Sequence, residues 1–381
     1  MRKLFELIRW IWIEVQLSSP LPVQKRIIPY LHKAKDTVRL LLKPYLTVYQ
    51  WRGRNEGGPL TVSYAGLGYA ASFLKSILFM EEPTVTEVKK VPIWQPGGLA
   101  NSPGSDIVVI EATKRLVRKL PGKNAITLPF HVGLVLDVRG SWEEVKCRLR
   151  RDARRNDLRT VKKYGYDYDV SHNDQDLDMF YHTIYLPTLK ARYPKLASPM
   201  SVQEAHQYFR HGQLFLIKRD GQYVSGALCT VHHDGVIRRS LGVMNAEERL
   251  IREGAQVATH YASIHWANRQ GYKWVDFGGC WPYIEGVFLY KRKWGSAASV
   301  WPESENRQIW IKIQRDTSAV SQFLKDNPCV VVDNEGKLRV LVVPDDPDSV
   351  TSETETRWHK QYAMPGLSGF LVRSVKDLVD N

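Results

Sequence analysis

The clearest periodicity in the chain lies between residues 175 and 190, where Leu177, Phe180, Tyr181, Ile184, Tyr185 and Thr188 recur at steps of three and four. On a 3.6-residue helix these positions share one face, so the segment predicts an amphipathic helix with that face against a core. A second helix is expected at about 201–211, after which the period changes. Residues 213–218, 223–232 and 236–243 read as strands, separated by Asp220-Gly221 and Asp234-Gly235, and predict an antiparallel meander. Residues 254–270 return to a helix that Gly271 ends, and 273–276 runs on as a strand.

Upstream the pattern is less regular. Residues 142–164 read as helical and very basic, with nine lysines and arginines between positions 146 and 163 against Asp152 and Asp157. The expectation is an exposed helical arm ending at Gly165 as a left-handed cap, its charge serving either as a solvated face or as a phosphate-binding one. Before it, strands are expected at 60–64, 84–93, 107–110 and 126–138, with a short helix near 112–119 and a Pro/Gly-rich loop at 95–106. Pro20, Pro22, Pro29 and Pro44 cut residues 18–56. After Gly295 the chain predicts a strand at 298–302, a helix near 307–324, a hairpin turning at Asn334-Glu335-Gly336 and an acidic linker or loop at 345–355. The resulting division is an N-terminal helical segment (1–56), a small mixed domain (57–141), the basic arm (142–174), a second mixed domain (175–305) and a C-terminal extension (306–381).

Composition narrows the classes. A chain of 381 residues with 43% hydrophobic content is long and apolar enough for two folded domains, which excludes wholesale disorder. The formal charge of +14 favours partners rich in phosphate or carboxylate: coenzyme A, a nucleotide-linked sugar, transfer RNA or an anionic membrane face. Cys147, Cys229, Cys280 and Cys329 form no CxxC pair or zinc-spaced cluster, so neither disulfides nor a structural metal is expected and a reducing, cytoplasmic setting is the default. The paired His232 and His233 lack a third ligand at metal spacing and read as surface residues. Residues 1–17 are too short to span a bilayer. With Trp10, Trp12, Arg2, Lys3 and Arg9 they suit either a helix at the inner membrane surface or one packed on its own protein.

Three segments carry a family resemblance. The first is Leu136-Asp137-Val138 followed by Trp142 and RRDARRNDLRTVKKYGY. The second is the run from Gly271 to Gly279, GYKWVDFGG, and the third is GVFLYKRKWG from Gly286 to Gly295. In order and spacing, over roughly 124–300, these resemble the Fem-type branch of the acyl-CoA N-acyltransferase superfamily. That branch includes peptidoglycan peptidyltransferases and acyltransferases of exopolysaccharide and cellulose operons. The resemblance implies an α/β (α+β) N-acyltransferase fold in two tandem copies, with residues 57–141 as a degenerate first copy. It also implies transfer of an acyl or aminoacyl group, from acyl-CoA or aminoacyl-tRNA, to an amine on a sugar, cell-envelope precursor or peptide. A non-catalytic protein of the same fold that holds nucleic acid or an anionic membrane is the rival reading.

The chemistry needs a neutral amine, an oriented carbonyl and a charge to steady the oxyanion of the tetrahedral intermediate; it needs no covalent nucleophile, and no G-x-S-x-G occurs. The resemblance puts Lys291 by the reaction centre, with Tyr290 where the family has phenylalanine. Asp276, at the end of an apolar strand, and Glu285, in the loop WPYIEG, are candidate proton acceptors, with Tyr290 and Tyr283 as further proton-transfer groups. Arg252, Gly254 and Ala255 stand where the superfamily cradles the pyrophosphate of coenzyme A. They lack its full spacing, and Glu253 opposes an anion there. Arg151, Arg154, Arg155 and Arg159 are the candidates for an anionic substrate.

Overall fold

The meander expected after residue 212 is present in the computed structural model as strands Gly212–Arg219, Gln222–His232 and Gly235–Val243. Its first turn is a two-residue loop with Asp220 at φ 51 and Gly221 at φ 76, the positive pair that a type I′ hairpin demands. The second turns at His233-Asp234, so Gly235 already lies in the strand. The structure describes residues 11, 13–15, 17–18, 30, 44–122, 124–192, 194, 199–301, 304–347 and 350–379.

Two compact units are interleaved along the chain. One comprises Met1–Ile28, Gly133–Gly278 and Tyr290–Ala297; the other comprises Pro29–Val132, Gly279–Leu289 and Ala298–Asn381. A division into consecutive blocks cannot describe units assembled from separated segments, because each sheet recruits strands from distant parts of the sequence.

Six consecutive strands of the seven-stranded sheet run in the order Val132–Asp137, Trp274–Asp276, Gly235–Val243, Gln222–His232, Gly212–Arg219, Asp167–Ser171. Helix Ala255–Arg269 follows the meander, and strand Trp274–Asp276 then joins it in parallel, Ile237 opposite Asp276. The amphipathic helix spans Asp174–Met179, a π-helical turn Phe180–Tyr185 and Leu186–Arg192. It buries Leu177, Phe180 and Ile184 as its periodicity requires. Burying each such side chain contributes about 1.5–3 kcal/mol.

The second unit is built on a sheet ordered Thr84–Pro92, Tyr45–Asn55, Gly58–Ala65, Ile107–Thr113, Arg307–Ile313, Ile126–Pro129. Here too a helix, Ala71–Leu78, follows an antiparallel hairpin, and a later strand, Ile107–Thr113, runs parallel to the hairpin's second strand. The protein is therefore a mixed α/β chain whose two units share the antiparallel-hairpin, helix, parallel-strand arrangement. Strands Cys329–Val332, Leu338–Val342 and Phe370–Val372 form a further small sheet, the first two paired around the expected turn at Asn334-Glu335-Gly336.

Several expectations need correction. The helix read near 307–324 is a strand, Arg307–Ile313, followed by helix Ser318–Asp326. Sheet neighbours on both sides of RQIWIKI bury it, and that outweighs its local ambiguity. The single strand at 126–138 is two, Ile126–Pro129 and Val132–Asp137. Strand Tyr45–Asn55 was hidden among prolines, helix Pro96–Ala100 lies in the expected loop, and helix Ser352–Tyr362 begins inside the acidic stretch, capped by Thr351. His232 is buried near Trp274 rather than on the surface.

The basic segment is not a free arm. Helix Trp142–Arg148 stops at Leu149, and a π turn Ala153–Asp157 leads into helix Leu158–Lys163. Val145, Leu149, Ala153 and Val161 are buried in the core of the first unit while the arginines face solvent. Gly165, at φ 63, does end it. In the N-terminal segment Ile13 is buried, and Glu14 accepts from Gln207 Nε2 at 3.0 Å and meets His211 Nε2 at 2.8 Å. The membrane-surface reading rested on Arg2, Lys3, Arg9, Trp10 and Trp12, which lie outside the described residues. Among the described residues no helix is long and apolar enough to cross a membrane.

Candidate active site

Residues 271–278 of the second resemblance segment and 290–295 of the third belong to the first unit. Strand Trp274–Asp276 is apolar because it lies between two neighbours, and it ends at Asp276, beyond which Gly278 adopts φ 78. The Asp276 carboxylate accepts from the Gly278 N–H at 2.8 Å, fixing the turn as a local side-chain-to-backbone bond does. Thirteen residues later in the chain, the Lys291 ammonium donates to the Gly278 carbonyl at 2.8 Å. Both side chains are buried, at 6% and 8% exposure. An ammonium so far from water exerts its charge with little screening.

Two further residues complete the cluster, and neither was singled out from the sequence. Arg238, on the strand beside Asp276, is buried; its guanidinium donates to His260 Nδ1 at 2.5 Å and lies 4.8 Å from the centre of the Phe277 ring. The same guanidinium nitrogen lies 3.1 Å from Nε2, and since arginine only donates, the ring nitrogen it bonds must be an acceptor and the imidazole neutral. The strand is bulged between Arg238 and Ser240, a local irregularity of the sort found beside functional sites. His260 is fully buried, stacked at 5.1 Å on Trp294 and edge-on to Tyr290. The only sequence signal was a histidine and an arginine at positions whose neighbours, Ala258, Ala262 and Val236, point to a core.

Burial, reinforced by the charges of Arg238, Lys293 and Lys291, holds His260 well below the ordinary histidine value. Burial also lowers Arg238 to about 10 and pushes the Tyr290 hydroxyl up. Because the folded His260 binds its proton less readily than the unfolded one, its contribution to stability is intact above about pH 6.5 and is lost as pH falls, by at most about 1.4 kcal/mol per unit. His260→Gln keeps an acceptor for Arg238. In urea titrations it should lose less stability than the parent between about pH 7.5 and 5.5. Equal losses would show that His260 titrates ordinarily.

The other sequence candidates have their own surroundings. Glu285 and Tyr283 belong to the second unit; burial raises the carboxyl of Glu285 and, far more, the hydroxyl of the buried Tyr283. Ala255 and Gly254 are buried at the start of helix Ala255–Arg269, where a Cβ added to Gly254 would lie 2.5 Å from Thr160 Cγ2. Arg252 is exposed and 3.8 Å from Glu248, while Glu253 binds Arg219 at 2.5 Å and Arg249 at 3.1 Å. Arg154, Arg155 and Arg159 line one groove; Arg151 is exposed outside it.

The sequence matches no family model and no curated protein. Among solved structures the chain is similar to FemX, at 14% identity over 71% of this chain and 89% of that one, with a TM-score of 0.38. It is also similar to the C-terminal domain (DUF2156) of a putative lysylphosphatidylglycerol synthetase from Agrobacterium fabrum, at 10% identity over 74% and 84%, with a TM-score of 0.34. A GCN5-related N-acetyltransferase from Kribbella flavida gives 11% identity over 85% and 71%, with a TM-score of 0.30. At such loose overall likeness the reading of the site rests on its own geometry.

Proposed function

We propose that this protein transfers an acyl or aminoacyl group to an amine carried by a sugar, a cell-envelope precursor or a peptide. The observation that carries the reading is the buried Lys291 ammonium, bonded to the Gly278 carbonyl at the end of the strand that Asp276 closes. In such a reaction the amine nitrogen attacks the carbonyl carbon of an ester or thioester. A C–N bond forms, the C–O or C–S bond breaks, and the amine's proton ends on the leaving oxygen or sulfur. Lys291 stabilises the oxyanion between these events.

Asp276 is a positioning residue in this scheme: it holds the turn that orients Gly278 and compensates the charge of Arg238. Asp276→Asn preserves the acceptor for the Gly278 N–H, so kcat should fall by no more than about tenfold, against the ~10²–10⁴-fold expected if the carboxylate were the general base. The buried start of helix Ala255–Arg269 favours a donor that does not need the coenzyme A cradle, such as an aminoacyl-tRNA. The test is turnover of a labelled amine acceptor with acyl-CoA and with aminoacyl-tRNA, in the parent and in Lys291→Met. Turnover with neither donor would move the protein to the non-catalytic, anion-binding reading.

A further inference from the structure

The outer face of the two basic helices carries charge that the acyl-transfer chemistry leaves unused. Lys146 and Cys147 from helix Trp142–Arg148, Arg154 and Arg155 from the π turn, and Arg159 and Lys162 from helix Leu158–Lys163 line an open groove of 550 Å³. Glu143 is the one acid in its lining, 2.5 Å from Lys146. Among the described residues no ion pair engages Arg154, Arg155, Arg159 or Lys162. Like charges at helical neighbour spacing repel, and a bound anion would reverse the sign of that interaction.

The groove is also held rigidly from beneath. Asp157, in the π turn, pairs with Lys293 at 2.6 Å, and both side chains are largely shielded. The Arg150 N–H donates to the Lys293 carbonyl at 3.1 Å. Gly295, at φ 77, lets the chain run so close to Arg148 that an added Cβ would lie 2.2 Å from its carbonyl oxygen. The wider π turn points Asp157 inward and Arg154 and Arg155 outward, toward solvent. The backbone that carries the cations is therefore fixed before a ligand arrives, and only the side chains remain to be ordered.

We propose that this groove binds an oligophosphate, that is, linked phosphates carried on a soluble small molecule. Several guanidinium forks converging on one groove match a multivalent anion better than a lone carboxylate. Leu158 and Cys147 supply a narrow apolar lining for the carrier, and no aromatic side chain lines the groove on which an exposed base of a nucleic acid could stack. The site is independent of whether Lys291 performs acyl transfer.

Cys147 provides the probe, since it is exposed and lines the groove while Cys229, Cys280 and Cys329 are buried. Alkylation of the native full-length protein by neutral iodoacetamide would be timed with inorganic tripolyphosphate, with inorganic phosphate, with sodium chloride at matched ionic strength, and with a homopolymer RNA. Tripolyphosphate at ten times its dissociation constant should slow the reaction about tenfold, the free fraction being 1/(1 + [L]/Kd). Sodium chloride should leave the rate unchanged. Arg155→Glu with Arg159→Glu should abolish protection, whereas Arg118→Glu with Lys119→Glu, the same charge change outside the groove, should preserve it. Arg155→Lys with Arg159→Lys should retain part of it, separating lost charge from misfolding. Lys291→Met should protect like the parent, so failure here and failure of the transfer reading are distinct. No slowing, equal slowing by chloride, or protection by RNA alone would overturn the proposal.

Discussion

Replacing Lys291 with methionine should lower kcat by about 10²–10³-fold with a much smaller change in KM, the cost measured when one preorganised oxyanion donor is removed. Methionine keeps an unbranched apolar stem, so packing around the buried side chain is largely preserved. The Gly278 carbonyl, which accepts from Lys291 at 2.8 Å, loses that bond, and stability should fall by about 1–3 kcal/mol. The two effects separate in one set of measurements: turnover under saturating amine and donor, and urea unfolding of the same preparations. Lys291→Arg restores the charge but not the geometry and should recover part of the rate. If Lys291→Met kept its parent kcat within about threefold, charge stabilisation by Lys291 would be ruled out.

Gly295→Ala should destabilise the first unit by about 3 kcal/mol. Two costs combine. The residue sits at φ 77, where an L side chain is strained, and its Cβ would lie 2.2 Å from the Arg148 carbonyl oxygen and 3.2 Å from Leu149 Cα. Backbone atoms cannot swing aside as a side-chain tip can, so the 291–295 segment and the basic helices must part. Gly165→Ala isolates the first cost: φ is 63, but nothing lies within 4 Å, and only about 1–2 kcal/mol should be lost. Urea midpoints of both variants measure the difference, and equal losses would show that close approach contributes nothing. Cys147 in Gly295→Ala should also lose its protection by tripolyphosphate, because the groove's foundation has shifted.

What could be read in advance followed from local rules. The three- and four-residue steps of Leu177, Phe180, Ile184 and Thr188, the Asp220-Gly221 turn and the stop at Gly271 each depend on a few neighbouring residues, and each is found in place. The order of meander, helix and strand was legible for the same reason, whereas the parallel pairing of the last strand was not. The DFGG and YKRKWG segments were identifiable as strings, though the strings do not show that Lys291 reaches back to the Gly278 carbonyl.

The rest depended on what lies beside each residue after folding. Strand Arg307–Ile313 is a strand because two others enclose it, and strand Tyr45–Asn55 escaped notice among prolines that end before it. The basic helices looked like an exposed arm because charge dominates their composition, yet Val145, Leu149, Ala153 and Val161 bury the opposite face. Arg238 and His260 form a buried pair 22 residues apart in sequence, brought together only when helix Ala255–Arg269 packs on the sheet. By itself the sequence determined the periods, the turns and the excess of cations, since these are properties of short segments. Which cations are shut from water and which line an open groove was decided by the tertiary structure, because desolvation and charge neighbours are set by residues far away along the chain.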